Sequence, residues 1–196
     1  EEGRRVYRSQ RSRIATRSTA LAGPVGNTGR VVGIIGASRI GRRVAEDLRR
    51  YRVSVLLHDP FVSAEAAAEF CARKVSMDDL LTQSDVVSLH QPLLPTTERS
   101  FGASEFARMR DGALLINTAR GRIIDAQALE AAMADGRLFA VLDVTDPEPL
   151  PDTSPLWDMP NVTLTPHIAG VTKEANVRVS SVTADHVLNH LASLAQ

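Results

Sequence analysis

The chain has 196 residues, 43% of them hydrophobic, which is enough to bury a sizeable core. Its 23 basic and 23 acidic residues cancel, so no global field draws it to nucleic acid or to an anionic membrane. No apolar run approaches the roughly 20 residues that cross a bilayer, and the charged start does not resemble a secretory signal. The single cysteine, Cys71, is compatible with a reducing, cytoplasmic location. We expect it to be buried on an alanine-rich helix.

Residues 1–29 differ in composition from the rest of the chain. Arginines crowd the first part of this segment, and residues 22–27 contain Gly and Pro that break any helix. We interpret the segment as a basic arm followed by a linker. Such an arm can be a solvated surface, a contact with a partner protein or a grip on nucleic acid. The balanced charge elsewhere and the scarcity of aromatics in the arm favour the first two.

From residue 30 onward, short runs of Val, Ile and Leu alternate with Ala-rich and charged segments of helical length. The runs lack polar alternation, which is typical of parallel strands buried on both faces. Strands are predicted at 31–35, 53–57, 86–89, 113–116, 139–142 and 162–164. Helices are predicted at 40–50, 64–72, 78–82, 126–134 and 173–195, with Ser76 and Asp125 as N-caps. The pattern predicts an α/β fold with a Rossmann-type, doubly wound parallel sheet.

A glycine-rich turn joins the first predicted strand to the helix that follows it. In Gly36-Ala37-Ser38-Arg39-Ile40-Gly41, free backbone N–H groups and the positive end of the helix dipole can converge on a pyrophosphate. Gly36 permits the tight turn, and Gly41 lets the helix pack closely on the strand. Ser38 replaces a second glycine, so its side chain either weakens binding or donates its hydroxyl to a phosphate. The turn alone is weak evidence for a nucleotide site.

An acid at the end of the second predicted strand strengthens that interpretation. Asp59 lies 18 residues after Gly41 and can accept hydrogen bonds from the ribose hydroxyls of adenosine. Its charge would repel a 2′-phosphate, and the following Pro60 and Phe61 offer no cation to neutralise one. The cofactor is therefore predicted to be NAD rather than NADP. The alternative is a solvated turn residue before a proline.

Three later segments each place one chemically useful side chain after a predicted strand, at the edge where open parallel sheets bind ligands. Arg120 can hold a carboxylate through its two-pronged guanidinium. His167 can donate a proton to a carbonyl oxygen near neutral pH. Glu148 can fix the tautomer of that imidazole and raise its pKa. Each residue alone also has a structural interpretation, but the combination favours reduction of a keto acid by hydride transfer.

The chain resembles the D-isomer-specific 2-hydroxyacid dehydrogenases in their nucleotide-binding domain. The matching stretches occur in the family's order and cover the chain from about residue 29 to its end; they are Val32-Gly33-Ile34-Ile35-Gly36, Arg39-Ile40-Gly41, Asp85-Val86-Val87-Ser88-Leu89-His90, Asn117-Thr118-Ala119-Arg120-Gly121, Leu142-Asp143-Val144, Glu148-Pro149-Leu150 and Thr165-Pro166-His167-Ile168-Ala169-Gly170.

This resemblance implies roles for individual residues. Arg120, Glu148 and His167 take the catalytic positions. The positions that the family places at the cofactor are the Arg39 and Ile40 backbone at the pyrophosphate, Thr118, Ala119 and Arg120 along the nicotinamide, and Asp143 at its carboxamide. His90 lies either at the cofactor or in the packing around it. The chain departs from the family at Ser38, at Leu94, where threonine is common, and at Thr145, where an aromatic residue is usual.

Family members carry a second lobe, formed mostly by about a hundred N-terminal residues. We therefore expect this chain to be part of a longer polypeptide or a truncated relative, unable to assemble a complete substrate cleft alone. The expected division is 1–29 arm and linker, 30–172 NAD-binding domain, and 173–196 a helix that returns to the truncated substrate lobe. The resemblance also implies a homodimer.

The sequence leaves two functions open. The first is an NAD-dependent oxidoreductase acting on a small D-2-hydroxy or 2-keto acid. The second is an NAD-responsive binding module like the corepressor relatives of the family, an idea that the basic arm and Ser38 favour slightly. No metal site is predicted, and the identity of the acid stays open because selectivity resides largely in the missing lobe.

Overall fold

The computed structural model describes residues 26–194, which divide into two compact units. The first unit ends at Pro166 and the second begins at His167. The arginine-rich part of the predicted arm lies outside the described residues. No helix in the described part of the chain is long and apolar enough to cross a membrane.

The first unit is built on one parallel sheet of seven strands, in the order β3-β2-β1-β4-β5-β6-β7. The strands are β1 (Val31–Ile35), β2 (Ser54–His58), β3 (Arg73–Lys74), β4 (Val86–Leu89), β5 (Leu114–Asn117), β6 (Phe139–Leu142) and β7 (Val162–Leu164). The chain builds outward from β1 in one direction to β3 and then crosses back to place β4 on the other side of β1. This reversal confirms the predicted doubly wound, Rossmann-type fold, and it opens a crevice between β1 and β4 at their carboxyl ends.

Helices connect the strands. Those of the first unit are α1 (Arg39–Leu48), α2 (Ala64–Glu69), α3 (Met77–Gln83), α4 (Ala103–Arg108) and α5 (Ala126–Ala134), and the second unit contains α6 (Lys173–Leu194). The side chains of Ser76 and Asp125 accept hydrogen bonds from the backbone N–H groups of Asp79 and Ala128, so both predicted N-caps are confirmed.

Two hydrophobic clusters bury the sheet. Ile35, Val87 and Leu89 belong to one cluster, whereas Ile34 and Leu57 belong to the other. Because successive side chains of a strand point to opposite faces, neighbours such as Ile34 and Ile35 enter different clusters. This double burial explains why the strands are continuous apolar runs.

Two predictions about residues 64–72 are wrong. Helix α2 ends at Glu69, not at residue 72, and Cys71 is exposed with a backbone φ of 62°. The backbone N–H of Cys71 bonds to the carbonyl of Ala68, which closes a turn beyond the helix. The alanine content of the segment indicated a helix but carried no signal for where that helix stops.

A charged cluster fixes the amino edge of the sheet. Asp85 accepts hydrogen bonds from the guanidinium groups of Arg30 and Arg110, each at 3.2 Å, and from the backbone N–H of Val31 at 2.8 Å. The carboxylate is largely shielded from solvent. It therefore ties the start of β1 to the start of β4, at the edge opposite to the loops that carry the predicted site.

Candidate functional site

The glycine turn after β1 is as tight as its sequence predicts. Gly36 has a φ of 94°, and a Cβ there would come within 2.5 Å of the backbone nitrogen of Gln91. A Cβ on Gly41 would overlap the carbonyl oxygen of Gly36. The turn therefore has room only for backbone at both positions, and it brings the start of α1 close to the end of β1.

Ser38 has a structural role that the sequence did not reveal. It is the N-cap of α1, and its Oγ accepts a hydrogen bond from the backbone N–H of Gly41 at 3.2 Å. In the described part of the chain, no hydrogen bond engages the backbone N–H groups of Arg39 and Ile40. This bond uses only an acceptor position of Oγ, so the hydroxyl hydrogen of Ser38 can still be donated. Three donors thus lie at the amino end of α1, where the helix dipole favours an anion.

Asp59 is attached to the glycine turn. One carboxylate oxygen accepts the backbone N–H of Ala37 at 2.8 Å, and the other accepts that of Phe61 at 2.8 Å. The residue is half-buried, so it is more than a solvated turn residue before Pro60. An ionised carboxylate offers about four acceptor positions, which leaves capacity for a ribose hydroxyl.

His90 is packed beside the same turn at the end of β4. Its exposed fraction is 9%, its Nε2 lies 2.9 Å from the hydroxyl of Ser88, and its Cβ lies 3.1 Å from the position of a Cβ on Gly41. Burial lowers the pKa of the imidazole, which favours the neutral ring. His90 therefore supports the start of α1 by packing, and its predicted contact with the cofactor stays a prediction.

The loop after β5 presents Arg120. The fully buried Asn117 organises it: its side-chain oxygen accepts the backbone N–H of Ala119 at 3.0 Å, and its Nδ2 donates to the carbonyl of Arg120 at 3.0 Å. Thr118 and Ala119 are half-buried, whereas Arg120 is exposed and donates from one guanidinium nitrogen to the carbonyl of Ala119. Asn117 was in a motif that the sequence singled out, but its bracing of the loop was not foreseen.

The loops after β5 and β6 are packed backbone to backbone. A Cβ on Gly121 would overlap the backbone carbonyl of Thr145, so only glycine fits between the two loops. The hydroxyl of Thr145 bonds to the carbonyl of Pro147 at 2.9 Å, which folds the second loop back on itself just before Glu148. Glu148 is exposed on this loop. The packing therefore brings together the loops that carry Arg120 and Glu148.

Asp143 lies at the base of the second of these loops. It is 4% exposed, its backbone N–H bonds to the carbonyl of Asn117 at 2.9 Å, and its carboxylate accepts a hydrogen bond from the hydroxyl of Thr165. Thr165 was not predicted to matter individually. A polar side chain directly after a buried strand was the signal that could have identified it.

His167 is the first residue of the second unit. Its side chain is exposed, and its backbone φ of 51° places it in the left-handed region, which few residues other than glycine adopt. Its action together with Arg120 and Glu148 stays a prediction.

The donors and acceptors of the first unit fit a dinucleotide. The N-terminus of α1 can receive a pyrophosphate, Asp59 can accept a hydrogen bond from a ribose hydroxyl, and the carboxylate of Asp143 can accept one from an amide. At Gly36 and Gly41 a Cβ would overlap neighbouring backbone atoms, so the tight turn that forms this site requires glycine at both positions.

Comparisons with known proteins agree with this geometry. Residues 3–169 match the family model described as "D-isomer specific 2-hydroxyacid dehydrogenase, NAD binding domain". The chain is 39% identical over 162 residues to D-3-phosphoglycerate dehydrogenase of Archaeoglobus fulgidus, covering 82% of this chain and 31% of that protein. It is 42% identical over 161 residues to (S)-sulfolactate dehydrogenase of Chromohalobacter salexigens, covering 81% of this chain and 52% of that protein.

A solved structure of a relative contains the cofactor. The NAD-complexed form of a D-isomer specific 2-hydroxyacid dehydrogenase from Lactobacillus delbrueckii ssp. bulgaricus matches with a TM-score of 0.68 and 34% identity, covering 74% of this chain and 48% of that chain. The chain thus spans about half, or less, of the length of these relatives. The match of the family model over most of the chain shows that the protein belongs to the D-isomer specific 2-hydroxyacid dehydrogenases and that its first unit is an NAD-binding domain of that family.

Proposed function

We propose that the polypeptide to which this chain belongs moves a hydride between NAD and a small D-2-hydroxy or 2-keto acid. The observation that carries the proposal is the backbone contact between Gly121 and Thr145. This contact holds the loops of Arg120 and Glu148 together at the carboxyl edge of a sheet that has an NAD-binding fold. Arg120 and Glu148 are both exposed on these loops and so are accessible to a substrate.

NAD, when bound, supplies or accepts the hydride. The residues that would hold it are the turn from Gly36 to Gly41 at the pyrophosphate, Asp59 at the adenosine ribose, and Thr118 to Arg120 along the nicotinamide. Arg39 and Ile40 would contribute backbone N–H groups, and Ser38 would cap the helix that presents them. Asp143 would accept a hydrogen bond from the carboxamide.

Arg120 would bind the substrate. Its guanidinium has parallel N–H donors that match the two oxygens of a carboxylate, and the same group can polarise the adjacent carbonyl. The brace from Asn117 to the carbonyl of Arg120 fixes the backbone from which the side chain extends. The orientation of the substrate would therefore be set by the end of β5.

His167 would transfer the proton of the reaction, and Glu148 would orient His167. During reduction, a ring nitrogen of protonated His167 would donate its proton to the carbonyl oxygen as the hydride reaches the carbon, and the reverse transfer would accompany oxidation. The carboxylate of Glu148 at the other ring nitrogen would hold the tautomer and the orientation of the ring. The reaction balances, because one hydride and one proton convert a keto acid to a hydroxy acid.

Asp59 supports NAD over NADP. A 2′-phosphate on the adenosine ribose would approach a carboxylate that is already fixed by two backbone N–H groups. Pro60 and Phe61, which follow, carry no positive charge to offset the repulsion.

The resemblance to the family further supports a homodimer. The single cysteine is compatible with a cytoplasmic location.

The second candidate, an NAD-responsive binding module without turnover, receives no support from the relatives described above, which are named as dehydrogenases.

The deciding experiment is a panel of small 2-keto acids. Each acid is mixed with the intact polypeptide and either NADH or NADPH, and the absorbance of the reduced nicotinamide is followed. We expect loss of NADH absorbance with at least one acid and a much slower reaction with NADPH. Binding of NADH without turnover of any acid would contradict the enzymatic proposal and favour the binding module.

A further inference from the structure

A polar network, buried at Asn117 and Asp143 and half-buried at Thr165, links the ends of the last three strands. Asp143, which is 4% exposed, directly follows β6, and its backbone is fixed by a hydrogen bond to the carbonyl of Asn117 at the end of β5. Thr165 directly follows β7, and its backbone N–H bonds to the carbonyl of Leu142 at 2.9 Å. The backbones on both sides of the network are therefore held by the sheet, and the remaining freedom of Asp143 is in its two side-chain torsions.

The hydroxyl of Thr165 restricts those torsions. It donates to Oδ1 of Asp143, and hydrogen bonds to an ionised acceptor are among the stronger ones in proteins. Thr165 is itself β-branched, so its hydroxyl has few alternative directions. Two stiff groups that face each other from adjacent strand ends define one orientation of the carboxylate. The bond uses one acceptor position of a group that has about four, so the carboxylate can accept other donors as well.

We propose that Thr165 is a positioning residue for the nicotinamide, acting through Asp143. The inference deepens the proposed function and rests on the assignment of Asp143 to the carboxamide. A carboxylate held in one orientation accepts a carboxamide N–H without first losing rotational freedom, so binding of the nicotinamide half is stronger and its ring takes one orientation. The adenosine half lies against other residues and gains nothing from Thr165.

The test separates the two halves of the cofactor. We would measure binding of NADH and of ADP-ribose, which lacks the nicotinamide, to the 196-residue chain and to its Thr165→Val and Thr165→Ser variants by calorimetry. Thr165→Val keeps the branched shape and removes the hydroxyl. It should weaken NADH binding roughly tenfold, the scale of one hydrogen bond to a charged group, and leave ADP-ribose binding within about twofold. Thr165→Ser should restore most of the NADH affinity.

Matched variants make the outcome decisive. Thr163→Val makes the same change two residues earlier, within β7, at a residue that pairs with Val141, and it should leave the ratio of the two affinities unchanged. Asp143→Asn should reduce the preference for NADH over ADP-ribose. Thermal unfolding of every variant would show whether the fold is retained.

Two results would overturn the proposal in different ways. If Asp143→Asn alters the preference and Thr165→Val does not, Asp143 contacts the nicotinamide but Thr165 does not position it. If neither change alters the preference, the assignment of Asp143 to the carboxamide is wrong and the role of Thr165 falls with it. Equal weakening of both ligands by Thr165→Val would indicate general support of the fold instead of positioning.

Discussion

The backbone carbonyl of Thr145 occupies the space that a Cβ on Gly121 would need. Gly121→Ala should therefore separate the two loops or distort them. Overpacking of this kind destabilises a protein by about 1–3 kcal/mol, and we expect a loss of that size in the free energy of unfolding measured with urea. The variant should also bind NADH more weakly, because Thr118 and Ala119 lie on the displaced loop.

Gly26→Ala is the control for that change. Within residues 26–194, no atom beyond the chain neighbours lies within 4 Å of a Cβ at Gly26, so its substitution should alter the free energy of unfolding by less than about 0.5 kcal/mol. If Gly121→Ala were as stable as Gly26→Ala, the packing between the loops would be looser than described.

Ser38 allows two effects to be separated. Ser38→Ala removes the cap of α1 and should cost about 1 kcal/mol of stability, whereas Ser38→Gly should cost only a few tenths. If the hydroxyl merely crowds the phosphates, Ser38→Gly should bind NAD equally well or more tightly, which is the result we expect. A large loss of NAD affinity in both variants, measured by calorimetry, would show instead that the hydroxyl is a ligand of the pyrophosphate.

His167 is the group whose loss should affect chemistry more than binding. In the intact polypeptide, His167→Asn should lower keto-acid reduction by about 10²- to 10⁴-fold, the usual contribution of a general acid, and leave NADH binding within a few fold. Steady-state rates and NADH titrations would be measured side by side. His190→Asn, which changes an exposed histidine of α6, provides the comparison. Turnover unchanged by His167→Asn would refute the proton-transfer role.

His90 should make stability depend on pH. Burial lowers the pKa of its imidazole in the folded state, whereas histidine in the unfolded chain titrates near pH 6.5. The unfolded chain therefore binds the proton more readily, so the stability that neutral His90 contributes is present above about pH 6.5 and is lost as the pH falls toward the folded pKa.

The measurement is the urea midpoint of the chain and of His90→Gln between about pH 7.5 and pH 5. The glutamine variant should lose less stability on acidification than the unaltered chain does, while His190→Gln should follow the unaltered chain. Identical pH profiles for all three proteins would mean that His90 is protonated as easily in the folded state as in the unfolded chain.

Much of the sheet could be predicted because its signal is local. Runs such as Val31–Ile35 and Phe139–Leu142 are apolar over the full length of the strand, and their bounds agree with the structure. The two-residue strand Arg73–Lys74 was missed, since an exposed edge strand of charged residues has no apolar pattern. Helix Ala103–Arg108 was missed as well. Its N-cap is Gly102, whose backbone N–H donates to the carboxylate of Glu105, and glycine gave no cap signal.

The site was predictable as a set of residues and much less as a set of contacts. Arg120 could be singled out because its loop follows a buried strand, and Asp143 because of the resemblance to the family. The fit of Gly121 against Thr145 and the bond from Thr165 to Asp143 join residues that are 22 or more positions apart. Pairings of this length depend on the order of strands in the sheet, which periodicity alone does not give.

The ion pairs of Asp85 with Arg30 and Arg110 lie at the amino ends of the strands, whereas the loops of Arg120 and Glu148 lie at the carboxyl ends. Exposed loop residues such as Arg120 and Glu148 can be exchanged with little penalty to folding, provided that buried braces such as Asn117 and the backbone fit at Gly121 are kept. This separation makes the domain a suitable frame for altering the contacts with the nicotinamide by mutagenesis, with substitutions confined to the carboxyl ends of the strands and the amino ends left intact.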